Sequence, residues 1–255
     1  MIEKIRQHHA SILLILTIAS CVLLFSLPKI NQDIHYHDFS DSNFYFGISN
    51  FFNVLSNIPF LFIGIIGILK IRKITIEEFP KESLTIFFIG VFLTGLGSSY
   101  YHWNPSNETL LWDRLPMTIT FMSLLSAIIS LHMEYWSGKL LLAPFIIIGI
   151  GSCLYWYYTE TIGQGDLRPF IFVQYFPIVL IPLILFLFPL KGVALKLILP
   201  MLGFYIVAKY LEYNDDSIYK YTHLISGHSL KHLFAAAATF VVLNIEKVYR
   251  PHFKI

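Results

Sequence analysis

Two short segments of this chain hold the residue types that can do chemistry. One is Ser98-Ser99-Tyr100-Tyr101-His102, with Asp113 eleven positions further on. The other is His228-Ser229-Leu230-Lys231-His232. Each borders a long apolar run. On a helix, His228 and His232 stand on one face, one turn apart, and two neutral imidazoles so spaced can share a metal ion. His102 is a third imidazole, and Ser98, four residues before it, shares its face. Three histidines around a metal with an open fourth position make a hydrolytic zinc site. Such an ion lowers the pKa of water to about 7 and polarises a carbonyl. A carboxylate such as Asp113 can carry the water's proton to a leaving group, and a hydroxyl such as Ser98 can hydrogen-bond the oxyanion. Two histidines with a carboxylate are a variant of the same ligand set.

Each of these residues also has a plainer reading. The histidine pair can be two polar groups at a helix mouth facing water. Ser98 can bond its own helix backbone, and Ser99 points elsewhere. Asp113 can be an N-cap, with Pro116 in the first turn, and a capping residue can still face a site. Arg114 reads as an interface residue rather than a catalytic one. Taken together, ionisable groups in a membrane chain are costly unless they serve a function.

The elements that carry these residues are apolar. Hydrophobic residues make up 56% of the chain and charged ones 13%, against about 25% charged in a typical soluble domain. This is an all-α polytopic membrane protein. A span needs about 20 apolar residues, and eight candidates stand at about 10–28, 49–69, 84–103, 116–133, 139–157, 169–189, 194–212 and 228–245. We read them as a seven-helix transmembrane bundle, residues 31–255, preceded by an anchor helix within residues 1–30. Lys4 and Arg6 before the first run give it a signal-like look. No small-x-small cleavage site is clear near Ser26-Leu27-Pro28, which favours a retained anchor.

Eight crossings place Lys70, Arg72, Lys73, Lys81, Lys139, Lys191, Lys196, Lys247, Arg250 and Lys254 with Lys4 and Arg6 on one side, which is therefore cytoplasmic. His102, Asp113 and His228 fall on the other side, at similar depth. Cys21 and Cys153 both lie inside apolar runs, which excludes a disulfide framework. No basic stripe points to nucleic acid. Gly95 and Gly97 let a neighbouring helix come close to the one ending at His102, Asn104-Pro105 stops that helix, and Ser226-Gly227 can open the last one.

In this order and spacing, Ser98, His102, Asp113 and His228-x-x-x-His232 resemble the alkaline ceramidase family, part of a superfamily that includes the adiponectin and progestin receptors. Asn53-Val54-Leu55-Ser56-Asn57 is similar to the Asn-x-x-Ser-Asn stretch of that family's first helix, and the resemblance covers roughly 38–246. It implies seven helices, zinc held by His102, His228 and His232, Asp113 as proton shuttle and Ser98 as transition-state hydrogen-bonder. It also implies hydrolysis of the amide of a ceramide-like membrane lipid to a fatty acid and a long-chain amine. The helix near 10–28 departs from the family core. An ester-cleaving enzyme of the superfamily, a non-catalytic zinc-holding receptor and a haem carrier with His102 and His228 as axial ligands are the competing classes. The last leaves Asp113 and Ser98 without a purpose.

Asp38-Phe39-Ser40-Asp41-Ser42-Asn43 is similar to the family's calcium-binding stretch. That likeness makes Asp38, the Phe39 carbonyl, Asp41, Asn43 and Asn50 possible Ca2+ ligands, competing with a solvated polar loop. His35 and His37 read as loop residues. Gly165-Asp166-Leu167-Arg168-Pro169 reads as a capped turn, and Glu212, Asp215 and Asp216 as a solvated acidic turn. Lys231 either holds an acyl carboxylate or snorkels outward. A bacterial source would put the protein in the inner membrane with its site facing the periplasm. A eukaryotic one would give a lumenal site in the endoplasmic reticulum or Golgi.

Overall fold

The apolar runs become helices because a backbone in hydrocarbon must satisfy its own hydrogen bonds. The computed structural model describes residues 2–190 and 192–252. Lys191 and Lys254, counted above among the cytoplasmic cations, lie outside the described residues, as do the side chains of Lys4 and Arg6. The helices are α1 Ile2–Ser26, α2 Phe51–Leu55, α3 Ile58–Arg72, α4 Lys81–Trp103, α5 Asn107–His132, α6 Tyr135–Thr161, α7 Arg168–Leu187, α8 Leu199–Tyr213, α9 Asp215–Thr222, α10 Gly227–Val242 and α11 Ile245–Tyr249. Among the described residues there is no strand.

Six of these segments are long and apolar enough to cross a membrane: α1, α2 with α3, α4, α5, α6 and α7. The pair α10–α11, bent by 43°, makes a seventh if it is one span. The remaining expected span, 194–212, is a π-helical turn, Ala194–Ile198, running into α8. The chain is thus an all-α multi-pass membrane protein. Large apolar side chains cover its outside, among them Val22, Phe62, Ile147, Val179, Phe186 and Ile206, as a lipid-facing surface requires.

At the centre stands α5, packed against α4, α6 and α7. It begins nine residues before the expected start at 116. Ser106 is the N-cap, and its side chain accepts from the Thr109 backbone N–H while the Thr109 side chain accepts from the Ser106 N–H. This reciprocal cap satisfies two orphan donors. Asp113 is therefore not an N-cap but an inward-facing residue well inside the helix, and Pro116 lies inside it too. Having no N–H, Pro116 leaves the Trp112 carbonyl without its helical partner. Gly97 of α4 comes so close there that a Cβ on it would sit 2.0 Å from the Trp112 oxygen. Gly95, on the neighbouring flank, would meet Leu61 and the Asn57 carbonyl. The two glycines set the distances from α4 to α5 and to α3.

Helix α1 touches the bundle mainly along α7. Its end is fastened by Arg168, which donates to the Phe25 and Leu27 carbonyls and holds Asp166 at 2.8 Å. The turn 165–169 is capped as expected, Asp166 accepting from the Arg168 N–H. The Arg168 guanidinium holds the Asp166 carboxyl below the usual carboxylate range.

Two outcomes follow from this packing. Gly97→Ala is expected to cost about 1–3 kcal/mol through overpacking, read as a lowered Tm in detergent. Asp166→Asn is expected to cost about 3 kcal/mol, the size of breaking a buried ion pair, and to open residues 27–33 to protease. Because the folded pKa is depressed, the gap between wild type and Asp166→Asn is full above the ordinary carboxylate pKa and closes as pH falls through the folded one. Unfolding of both proteins across pH 2–7 measures it.

Candidate metal centre and its cavity

Helix α4 ends at the same level at which α10 begins, so His102 meets His228 and His232. The ring centroids lie 4.8 Å apart for His102 and His228, 4.9 Å for His102 and His232, and 4.9 Å for the pair on α10. One ligand nitrogen from each falls within 4.8 Å of the others. The rings are 1%, 8% and 4% exposed. The alternative of a water-facing histidine pair is thereby overturned.

The nitrogen chemistry fits a metal. Ser56 Oγ donates to the Asn53 carbonyl at 3.0 Å and lies 2.8 Å from His232 Nδ1. Its one proton is used, so Nδ1 is the donor and Nε2 keeps a lone pair. Lys231 Nζ lies 3.2 Å from His228 Nε2. An ammonium only donates, so that nitrogen is an acceptor as well. His102 Nδ1 is buried and has no partner among the described residues. Three buried imidazoles turned on one small volume can hold a divalent metal ion, and zinc suits an all-imidazole set.

The start of α10 is fixed by a set of buried polar groups. Ser226 caps it, accepting from the Ser229 N–H. Both serine hydroxyls donate to Asn53 Oδ1, at 3.1 and 2.6 Å. Asp215 accepts from the His228 N–H at 2.6 Å and from the Ser40 N–H. Asp215 is a helix anchor and not part of a solvated turn, whereas Asp216 pairs with Lys220 on the surface. Asn53 and Ser56 had one plain signal: polar residues inside an apolar run are costly in lipid unless they are partnered.

The structure gives no support to a calcium site. Asp41 is fully buried, and its carboxylate accepts from the Asn43 N–H, Asn43 Nδ2 and the Asn53 N–H. Three backbone and amide donors thus occupy its oxygens. Asp38 pairs with His35 at 2.8 Å. Asn50 donates its amide to the His102 carbonyl. Phe39 offers its ring instead, 4.4 Å from His102 and 4.9 Å from His228, as a lid. The segment fastens the outer loop over the histidines. His37 behaves as a loop residue, bonded to Tyr101 and Asn107.

Ser98 and Asp113 stand near each other across the α4–α5 contact. Ser99 turns away and donates to the Val54 carbonyl. Ser98, Asp113 and His232 form part of the wall of a cavity of about 480 Å³. Its polar end adds Arg114, Lys209, Glu212 and Lys231. Its remainder is largely apolar, including Phe87, Phe121, Ile181, Ile198 and Leu202. Lys231 does not snorkel outward, and Glu212 is not a solvated acid. They pair at 2.7 Å, and Glu212 also binds Lys209 at 2.6 Å.

Fold and site define a polytopic helical membrane protein with a candidate metal centre buried in its bundle, at the polar end of a largely apolar cavity. The family model described as Ceramidase matches residues 35–190, more than half of the chain, and the chain belongs to that family. Ser98, His102 and Asp113 lie within the matched residues; His228 and His232 lie beyond them. No curated protein and no solved structure matches the chain.

Ser56→Ala is expected to lower zinc affinity about 10–100-fold, the usual effect of removing a partner that orients a ligating histidine. Competition titration against a chromogenic chelator measures it. His102→Ala, His228→Ala and His232→Ala each abolish stoichiometric zinc in the same assay.

Proposed function

We propose that this protein is a zinc-dependent intramembrane amidohydrolase that cleaves ceramide-like lipids to a fatty acid and a sphingoid base or related long-chain amine. One observation carries the reading. Three buried imidazoles lie close enough to share one metal ion, and one of them, His232, shares with Ser98 and Asp113 the wall of a largely apolar cavity. Membership of the Ceramidase family supports the bond type.

His102, His228 and His232 hold the zinc. Bound there, the ion supplies Lewis acidity, polarising the amide carbonyl and acidifying water near neutral pH. Asp113 accepts the proton of the attacking water and delivers it to the leaving nitrogen, so that the amine departs neutral. Ser98 donates its hydroxyl to the carbonyl oxygen as charge gathers there. The apolar wall, from Phe87 to Ile198, receives the acyl chain. A cavity of this size is of the order of known small-molecule sites, roughly 300–1,000 Å³. Helices α7 and α8 both line the cavity, α7 with Tyr175 and Ile178 and α8 with Met201 and Tyr205. Lipid enters between them from the bilayer. Phe39 and the fastened outer loop keep bulk water from the histidines.

The excess of Lys and Arg at the ends of α3, α6 and α11 away from the site puts those ends in the cytoplasm. The centre then faces the periplasm in a bacterium, or the lumen of an internal membrane in a eukaryote. Residues 1–30 act as a retained anchor for the seven-helix domain.

The decisive measurement is purified, zinc-loaded protein with a panel of ceramides, N-acyl amines and phospholipids, read by mass spectrometry. Fatty acid and free amine are expected from at least one amide lipid. Asp113→Asn is expected to lower turnover by about 10²–10⁴-fold, the range of general acid–base catalysis, with zinc content retained. Full zinc occupancy without a product from any amide lipid would overturn the reading.

A further inference from the structure

We infer that the lipid's amine half carries a negatively charged head group, and that Arg114 is the residue that binds it. The inference rests on the amidase reading above.

Arg114 follows Asp113 on α5 and is 5% exposed. Its guanidinium is caged by aromatic rings, with Cζ 4.1 Å from the Trp156 centroid, 4.6 Å from Phe170 and 5.5 Å from Tyr36. Nη2 donates to Gln32 Oε1 at 2.7 Å, a neutral acceptor. Nη1 is buried and has no partner among the described residues. A guanidinium is always charged; Asp113 is near enough to feel that charge, yet Nη1 is left without a partner among the described residues, which is costly for a buried charge. On the amidase reading Asp113, the adjacent acid in sequence, is the group that must move a proton.

The charge on the cavity wall points the same way. Arg114, Lys209 and Lys231 supply three positive charges, against Asp113 and Glu212. Glu212 is shared by both lysines. The imidazoles add no negative charge. The wall thus carries one net positive charge, and Arg114 is its cation with an unpartnered nitrogen. The rings hold the guanidinium plane in place before a ligand arrives, so little entropy is lost on binding. A planar fork of N–H donors matches the oxygens of a carboxylate, sulfonate or phosphate. With the acyl chain along the apolar wall and the amide at the histidines, the group that reaches Arg114, one residue from Asp113, sits on the amine side of the bond.

The test uses two amide lipids with the same acyl chain and long-chain base. One ends in a neutral hydroxymethyl head and the other in a sulfonate. Wild-type protein is expected to favour the sulfonate in kcat/KM by about tenfold or more, the scale of a charge-assisted bidentate contact. Arg114→Gln brings the ratio to about one, and Arg114→Lys retains part of it. Direct binding of both lipids to wild-type protein, by native mass spectrometry, needs no variant and no turnover, and the same preference is expected there. Equal binding, or a preference unchanged in Arg114→Gln, overturns the proposal. So does relief of palmitate inhibition by Arg114→Gln with the two substrates cleaved equally, which would make the fatty-acid product the ligand. If neither lipid is cleaved but the sulfonate binds more tightly, the amidase reading fails and the head-group site stands.

Discussion

Three imidazoles whose ring centres lie within 5 Å of one another, and which hardly see solvent, set the terms for the rest of this molecule. Buried imidazoles gathered on so small a volume make a set that can hold a metal ion. Their neighbours are arranged to that end. Ser56 turns the His232 ring, and Lys231 fixes the role of His228 Nε2. Asp41 and Asp215 hold the backbone of the two segments, around Asn53 and His228, on which those side chains depend.

The second constraint is the approach of α4 to α5. Gly97 removes the side chain that would hold the helices apart, and Pro116 frees the carbonyl that Gly97 meets. Ser98, one residue beyond Gly97, and Asp113, one beyond Trp112, then both line the cavity. Helix contact and the placement of this pair are one feature of the sequence. The remainder of the bundle, lipid-facing outside and largely apolar around the cavity, gives this pair and the histidines a dry setting in which electrostatic interactions are strong.

Much of the fold was legible from hydrophobicity alone. Run lengths located the helices, although α5 began nine residues early because the cap formed by Ser106 and Thr109 lies in polar sequence with no apolar periodicity. The His228–His232 pair was legible from helical spacing. The partnership of His102 with them was inferred from matching depth, and the ring contacts bear it out. The oxygen-rich stretch from Asp38 to Asn43 misled, because a string of oxygen-bearing side chains does not reveal whether backbone N–H groups already satisfy it. Lys231 and Glu212 misled as well: each alone reads as a surface charge, and only their convergence makes an inward pair.

What the sequence determined by itself was the solvent of this protein, the helices that solvent demands, and the set of residues able to hold a metal and move a proton. Those follow from local quantities, namely side-chain polarity, run length and the helical repeat. Only the tertiary structure decided that the three histidines converge, that Asn53 and Ser56 brace α10, and that Arg114 is caged by aromatic rings with one nitrogen unpaired. Those facts depend on contacts between segments 40 to 180 residues apart, and a linear pattern does not encode such distances.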